Sequence, residues 1–177
     1  MTVLKAFLTI ALTLVLAAAV TAVEKGDKGE KDSSREATNS KIDWRDYDDG
    51  LVLAKKTDRH VFIDFTAKWC GWCKKMDKEA FADTTVINIL NNDFVPVKVD
   101  GDSENMLDVD GFKITERNLA RGEFQVRGYP AFWFLKPDGT KLGMLPGYQT
   151  TSNLTKALEY VRNYQYDSTR ANPGSGK

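Results

Sequence analysis

A chain of 177 residues has room for one domain with a leader and tails, and a second domain is not expected. Its 25 basic and 25 acidic residues cancel, so no long-range field gathers nucleic acid or an anionic membrane, and no nucleic-acid partner is expected. Two cysteines and one histidine fall short of the four ligands of a tetrahedral zinc site, so no metal is expected either.

Residues 1–22 read as a secretory leader: Lys5 supplies the positive start, 7–20 the apolar run, and Val20-Thr21-Ala22 a small-residue cleavage site. The run is short for the roughly 20 residues of a spanning helix, so cleavage near Ala22 is favoured over an uncleaved anchor. A periplasmic or secreted protein is expected. Residues 23–41 mix Lys, Glu, Asp, Ser and Gly with almost no large apolar side chain, cannot offset their own ordering entropy, and read as a disordered linker.

The domain proper is expected over 42–165. Trp44, Tyr47, Leu51 and Ala54 recur at helical spacing, which predicts one amphipathic helix carrying all four. His60–Thr66, apolar at Val61, Phe62, Ile63 and Phe65, suits a central strand buried on both faces, with His60 at its surface end. After Trp69-Cys70-Gly71-Trp72-Cys73, helical spacing runs through Met76, Ala80 and Phe81, then restarts past Asp83-Thr84 with Val86, Ile87 and Leu90. A strand over 94–99 follows, and its Pro96 points to an edge or an irregularity.

Segment 101–111 is acidic and turn-rich; its Asp102, Glu104, Asp108 and Asp110 do not fit an EF-hand, so a solvated loop is predicted. A helix follows over 115–124, capped by Thr115, with Leu119 and Ala120 facing inward. Strands at 131–135 and 141–145 flank Lys136-Pro137-Asp138-Gly139-Thr140 and predict an antiparallel hairpin. The last helix begins near Ser152 and buries Leu154, Ala157, Leu158 and Val161; residues 166–177 read as a flexible polar tail.

The chemistry concentrates at the two cysteines. A pair separated by two residues at a helix start is placed for thiol chemistry, because the free amides and dipole of the first turn stabilise a thiolate. Cys70, at the exposed helix start, is the expected nucleophile. Cys73, deeper in the first turn, is the expected resolving sulfur, attacking Cys70 in a mixed disulfide. Covalent haem attachment would need His where Lys74 stands. A purely structural disulfide remains an alternative, though so short a loop constrains the unfolded chain weakly.

The order helix, strand, redox turn, helix, strand, helix, hairpin, helix resembles the thioredoxin fold, an α/β architecture with a central mixed sheet flanked by helices. Asp64, six positions before Cys70, stands where thioredoxins keep a buried acid; Lys98 stands where they keep a lysine near it; Gly128-Tyr129-Pro130 resembles the segment whose proline is cis and faces the disulfide. The resemblance implies Asp64 as proton acceptor with Lys98 as its partner, and a substrate surface of Trp69, Gly71, Trp72, Tyr129 and Pro130. Desolvation in an apolar strand should raise the Asp64 pKa; a merely structural acid paired with Lys98 is the competing reading.

The extended connection between the second strand and the helix preceding the proline, with Asp108-Val109-Asp110-Gly111, Thr115-Glu116 and Pro146-Gly147-Tyr148, resembles exported thioredoxin-like proteins of bacterial sulfur oxidation and thiol-disulfide interchange. Gly71-Trp72 departs from the Gly-Pro of ordinary thioredoxins and the Gly-His of disulfide isomerases, so no redox potential carries over. The resemblance implies an exported oxidoreductase that reduces protein disulfides, with a membrane electron-transfer protein as reductant, no cofactor, and a monomeric state. A disulfide oxidase or isomerase, and a binding module with an idle disulfide, are the alternatives. Asn153-Leu154-Thr155 would accept a glycan in a eukaryotic secretory pathway, but a bacterial periplasm is expected by resemblance.

Overall fold

The computed structural model describes residues 40–168; the predicted leader and most of the linker and tail lie outside them. The elements in order are α1 (Tyr47–Thr57), β1 (His60–Thr66), α2 (Gly71–Lys78), a short turn of helix (Ala80–Ala82), α3 (Thr84–Asp93) and β2 (Phe94–Asp100). Then come β3 (Met106–Val109), β4 (Phe112–Thr115), α4 (Glu116–Asn118) running into a wider turn (Leu119–Glu123), β5 (Ala131–Leu135), β6 (Lys141–Pro146) and α5 (Thr151–Arg162).

Four strands form one mixed sheet in the order β2-β1-β5-β6, with β1 parallel to β2 and antiparallel to β5. The two-residue period of β1 divides the core. Phe62 packs with Met76, Leu90, Phe132, Leu154 and Leu158 on the side of α2, α3 and α5. Val61, Ile63 and Phe65 pack with Ala54, Leu119 and Phe124 on the other side, under α1. The parity of Phe62 is also that of Asp64, so this acid enters the layer beneath α2.

Trp44 does not belong to α1. Its ring packs against Phe62 and Phe81, whereas Tyr47 and Ala54 lie in the opposite layer. The chain crosses the sheet edge between them, where Arg45 bridges Val97: its N–H donates to the Pro96 carbonyl at 2.9 Å, and its carbonyl accepts from Lys98 N at 3.1 Å. Pro96 thus stands where an N–H would point away from β1, which is why an edge strand tolerates it. His60 is buried, not at the surface, because the chain beyond α5 folds back over it; Tyr164 and Tyr166 flank its ring, and its Nε2 lies 2.5 Å from the Tyr166 hydroxyl.

Segment 101–111 is not simply a loop. It contains β3 and leads into β4, a hairpin closed by Asp110 and Gly111, both at positive φ, with Gly111 N donating to Asp108 Oδ1 at 2.8 Å. Asp-Gly suits a two-residue turn of this hand, and Leu107 is buried beneath it. The helix predicted over 115–124 keeps its Thr115 cap, on which Asn118 N donates to Oγ1 at 3.2 Å, but widens after one turn: Phe124 N reaches the Leu119 carbonyl at 3.0 Å.

Candidate functional site

At the carboxyl end of β1 the chain turns once, with Cys70 N donating to the Ala67 carbonyl at 2.9 Å, and enters α2. Cys70 occupies the N-cap in extended conformation and is joined to Cys73 by a disulfide, Cα to Cα 5.3 Å. In place of a capping oxygen, the Cys70 Sγ accepts the N–H of Cys73 at 3.0 Å. Exposure does not separate the two sulfurs as expected, since the residues are 3% and 4% accessible. The asymmetry between them is electrostatic: the N-cap sulfur faces the free amides of the helix start.

Beneath α2 lies a chain of three charged groups. Asp64 pairs in register with Lys98 across β1 and β2, and its Oδ2 lies 3.4 Å from Lys98 Nζ. Lys98 Nζ lies nearer to Asp77 Oδ1 of α2, at 2.8 Å, and over the Trp44 and Phe81 rings. Asp64 is 2% exposed and its Oδ1 has no hydrogen-bond partner. Burial therefore pushes its pKa up to about 6, with Lys98 pulling it down and Asp77 adding to the rise. Burial would lower the Lys98 pKa, but Asp64 and Asp77 together raise it above the ordinary value. Asp77 escaped the sequence reading, although a signal was present: it follows Cys73 by four residues and so shares its helix face.

Around the disulfide stand aromatic rings. Trp69 donates its indole N–H to Asp102 and packs edge-on to Tyr129, with centroids 5.9 Å apart. Asp102 also accepts from Arg121 Nη2 at 2.7 Å, which ties the segment between β2 and β5 to the motif. The Tyr129 ring packs on Ala67, Cys70 and Cys73, and rests on Gly101, where a Cβ would overlap its ring and hydroxyl. The Tyr129–Pro130 bond is cis, and the Pro130 carbonyl accepts Gly147 N at 2.8 Å. Nothing lies within 4 Å of a Cβ built on Gly71, so the mouth of the site is open there.

Trp72 leans on Tyr148, centroids 5.4 Å apart, under Lys75 Nζ, which lies 5.3 Å from its centroid. The Tyr148 hydroxyl donates to Glu79 Oε2 at 2.5 Å. An open groove of about 420 Å³ continues from Arg127, Tyr129 and Pro130 to Met144, Pro146 and Gly147. Among the described residues no cluster of His, Cys, Asp and Glu is arranged to hold a metal, and no helix is long and apolar enough to cross a membrane. Trp69, Gly71, Trp72 and Tyr129 thus gather around the cysteines, with Pro130 beside Tyr129 and Asp64 and Lys98 in the layer below. Asp102 and Arg121 join them without any signal in the sequence pattern; Lys75 and Glu79 carried one, as an i, i+4 pair with Lys75 three residues after Trp72.

A family model described as a thioredoxin-like domain matches residues 47–162. The protein disulfide-isomerase of Hordeum vulgare is 30% identical over 108 residues, which cover 60% of this chain and 17% of that protein. The thiol:disulfide interchange protein DsbD of Campylobacter jejuni strain RM1221 is 30% identical over 99 residues, 56% of this chain and 16% of that protein. Both matches span less than a fifth of the relative's own length. The solution structure of a thioredoxin from Thermus thermophilus superposes with a TM-score of 0.57 at 27% identity, covering 77% of this chain and 95% of that one.

Proposed function

The chain belongs to the thioredoxin-like domain family, and from that premise we propose that Cys70 and Cys73 turn over as a dithiol that reduces disulfides in exported proteins. The observation that carries this reading is the Cys70 sulfur at the helix N-cap, accepting the N–H of Cys73. Sulfur at that position is the stabilised thiolate, and the thiolate is the nucleophile.

In the forward direction the Cys70 thiolate attacks one sulfur of a substrate disulfide. A mixed disulfide forms, and the other substrate sulfur leaves as a thiolate that takes a proton from water. Cys73 then passes its proton to ionised Asp64, attacks the Cys70 sulfur, and expels the second substrate thiolate, which is protonated in turn. Two electrons move from the Cys70/Cys73 dithiol to the substrate, and the protein is left as the disulfide. A dithiol carried by a membrane electron-transfer protein would return them.

Export is supported by the leader pattern of residues 1–22, and the boundaries of the linker and of the domain over 42–165 are part of the same reading. A role beside bacterial sulfur oxidation would follow from the resemblance of 108–111 and 146–148. The test is reduction of insulin disulfides by the purified chain with dithiothreitol. Acceleration over dithiothreitol alone, lost in Cys70→Ser, supports the reductant; no acceleration leaves the idle binding module.

A further inference from the structure

Resting on that oxidoreductase reading, we propose that the disulfide face is selective, taking cysteine-bearing segments whose flanking side chains are apolar and acidic.

The apolar half of this preference comes from two walls on either side of the disulfide. Trp69 and Trp72 are 67% and 58% exposed, unusual for indoles in a folded chain. Both are nonetheless held in place, Trp69 by Asp102 and Tyr129, Trp72 by Tyr148 and Lys75. Exposed rings that are already fixed lose little side-chain entropy when a partner covers them, which is what an anchor for an apolar side chain requires. Between the walls Gly71 leaves the mouth open, and the groove beside Pro130 extends the apolar floor to Met144, itself 44% exposed.

The acidic half comes from the charges around the walls. The carboxylates around the mouth of the site are already engaged: Glu79 by the Tyr148 hydroxyl and by Lys75 at 4.0 Å, Asp77 by Lys98, which it shares with the buried Asp64, Asp102 by Arg121, and Asp100 by Lys68 at 4.0 Å. Beside the mouth of the site, two cations have no ion-pair partner among the described residues. Lys74 follows Cys73 directly and Arg127 lines the groove; both are exposed. Lys68, with a side chain 93% exposed, adds a third positive group held only by that distant contact. Carboxylates gather elsewhere: Asp48, Asp49, Asp108, Asp110 and Asp138, with Lys55 among them, line a separate groove that reaches the β5–β6 turn, at the other end of β5 from Pro130. Unpaired positive groups thus stand where the disulfide opens, while the carboxylate-rich groove lies away from it.

The experiment uses the reduced full chain and short synthetic peptides. Each peptide carries one cysteine as a mixed disulfide with thionitrobenzoate, flanked by leucines and by two Glu, two Gln or two Lys, with a glycine-flanked Glu peptide as the fourth probe. Rates of thionitrobenzoate release are divided by those with neutral dithiothreitol, which removes the intrinsic reactivity of each disulfide. The Glu peptide should react about tenfold faster than the Lys peptide at low ionic strength, and the gap should close with added salt. The double charge reversal Lys74→Glu with Arg127→Glu should invert the order, and the glycine-flanked peptide should be slower than its leucine counterpart. Equal normalised rates for Glu and Lys peptides, or an order unchanged by charge reversal, overturns the acidic preference while leaving the reductant intact; equal rates with leucine and glycine overturns the apolar one. Failure to reduce any peptide removes the oxidoreductase reading and this inference with it.

Discussion

Replacing Asp64 with Asn should make the protein more stable near neutral pH while impairing its turnover. The folded protein holds the Asp64 proton more tightly than the unfolded chain does, since burial lifts the pKa from 3.8 to about 6. Protonation therefore favours folding: this stabilisation is fully present below about pH 4 and is lost as the pH climbs through about 6. The difference in pKa corresponds to about 3 kcal/mol. No discount for solvent is due, because the residue is 2% exposed. Asn keeps the shape and removes the ionisation, and Lys98 retains its closer partner Asp77 at 2.8 Å. Guanidinium chloride unfolding of the oxidised protein, compared between wild type and Asp64→Asn from about pH 4 to 8, isolates this group because other titrations cancel in the difference. The variant should gain up to about 3 kcal/mol across that range, with its reductase rate falling in the same preparation. A variant no more stable than wild type near neutrality would refute the view that Asp64 is a buried acid ionised at a cost.

Asp77→Asn should act in the opposite sense on Asp64: the negative charge that raises its pKa is gone and Lys98 is freed to pair with it, so the acid limb of the turnover pH profile should move to lower pH. In the reduced protein Cys70 should be alkylated faster than Cys73, because the helix-start amides favour its thiolate; mass spectrometry after brief iodoacetamide treatment reads the ratio, and equal labelling contradicts the assignment. Gly101→Ala should displace Tyr129 from the site, costing about 1–3 kcal/mol in thermal or chemical unfolding and slowing turnover. An unchanged melting curve would mean that the ring does not need that close approach.

Much of the sheet was legible because its strands carry unambiguous patterns. The apolar run of β1 fits a strand with a layer on each face, and the Pro-Asp-Gly turn before β6 admits little except a reversal. Elsewhere composition masked local chemistry. The acids of 101–111 read as solvated, although Asp110-Gly111 between Leu107 and Ile114 is itself a hairpin signal. Trp44 sat at helical spacing from Tyr47, yet the chain crosses the sheet edge between them, and periodicity has no way of registering such a crossing. His60 reads as a surface residue until the segment after α5 folds over it, a contact 106 positions away. Of the candidate site, Asp64, Lys98, Cys70 and Cys73 were singled out by their spacing and by resemblance. Asp102 and Arg121 were not, because their link to Trp69 spans the connection between β2 and β5, which no short motif encodes.

The direction of electron flow is the claim on which the proposed function turns, and the equilibrium reduction potential of the Cys70/Cys73 pair in glutathione buffers tests it most directly. A dithiol that gives electrons to protein disulfides must have a low potential, so the proposed direction fixes the end of the family's range at which the pair should stand. For a reductant, the potential should lie well below the value of about −180 mV for protein disulfide isomerase. A potential near the DsbA value of about −120 mV would make the chain an oxidant and contradict the account.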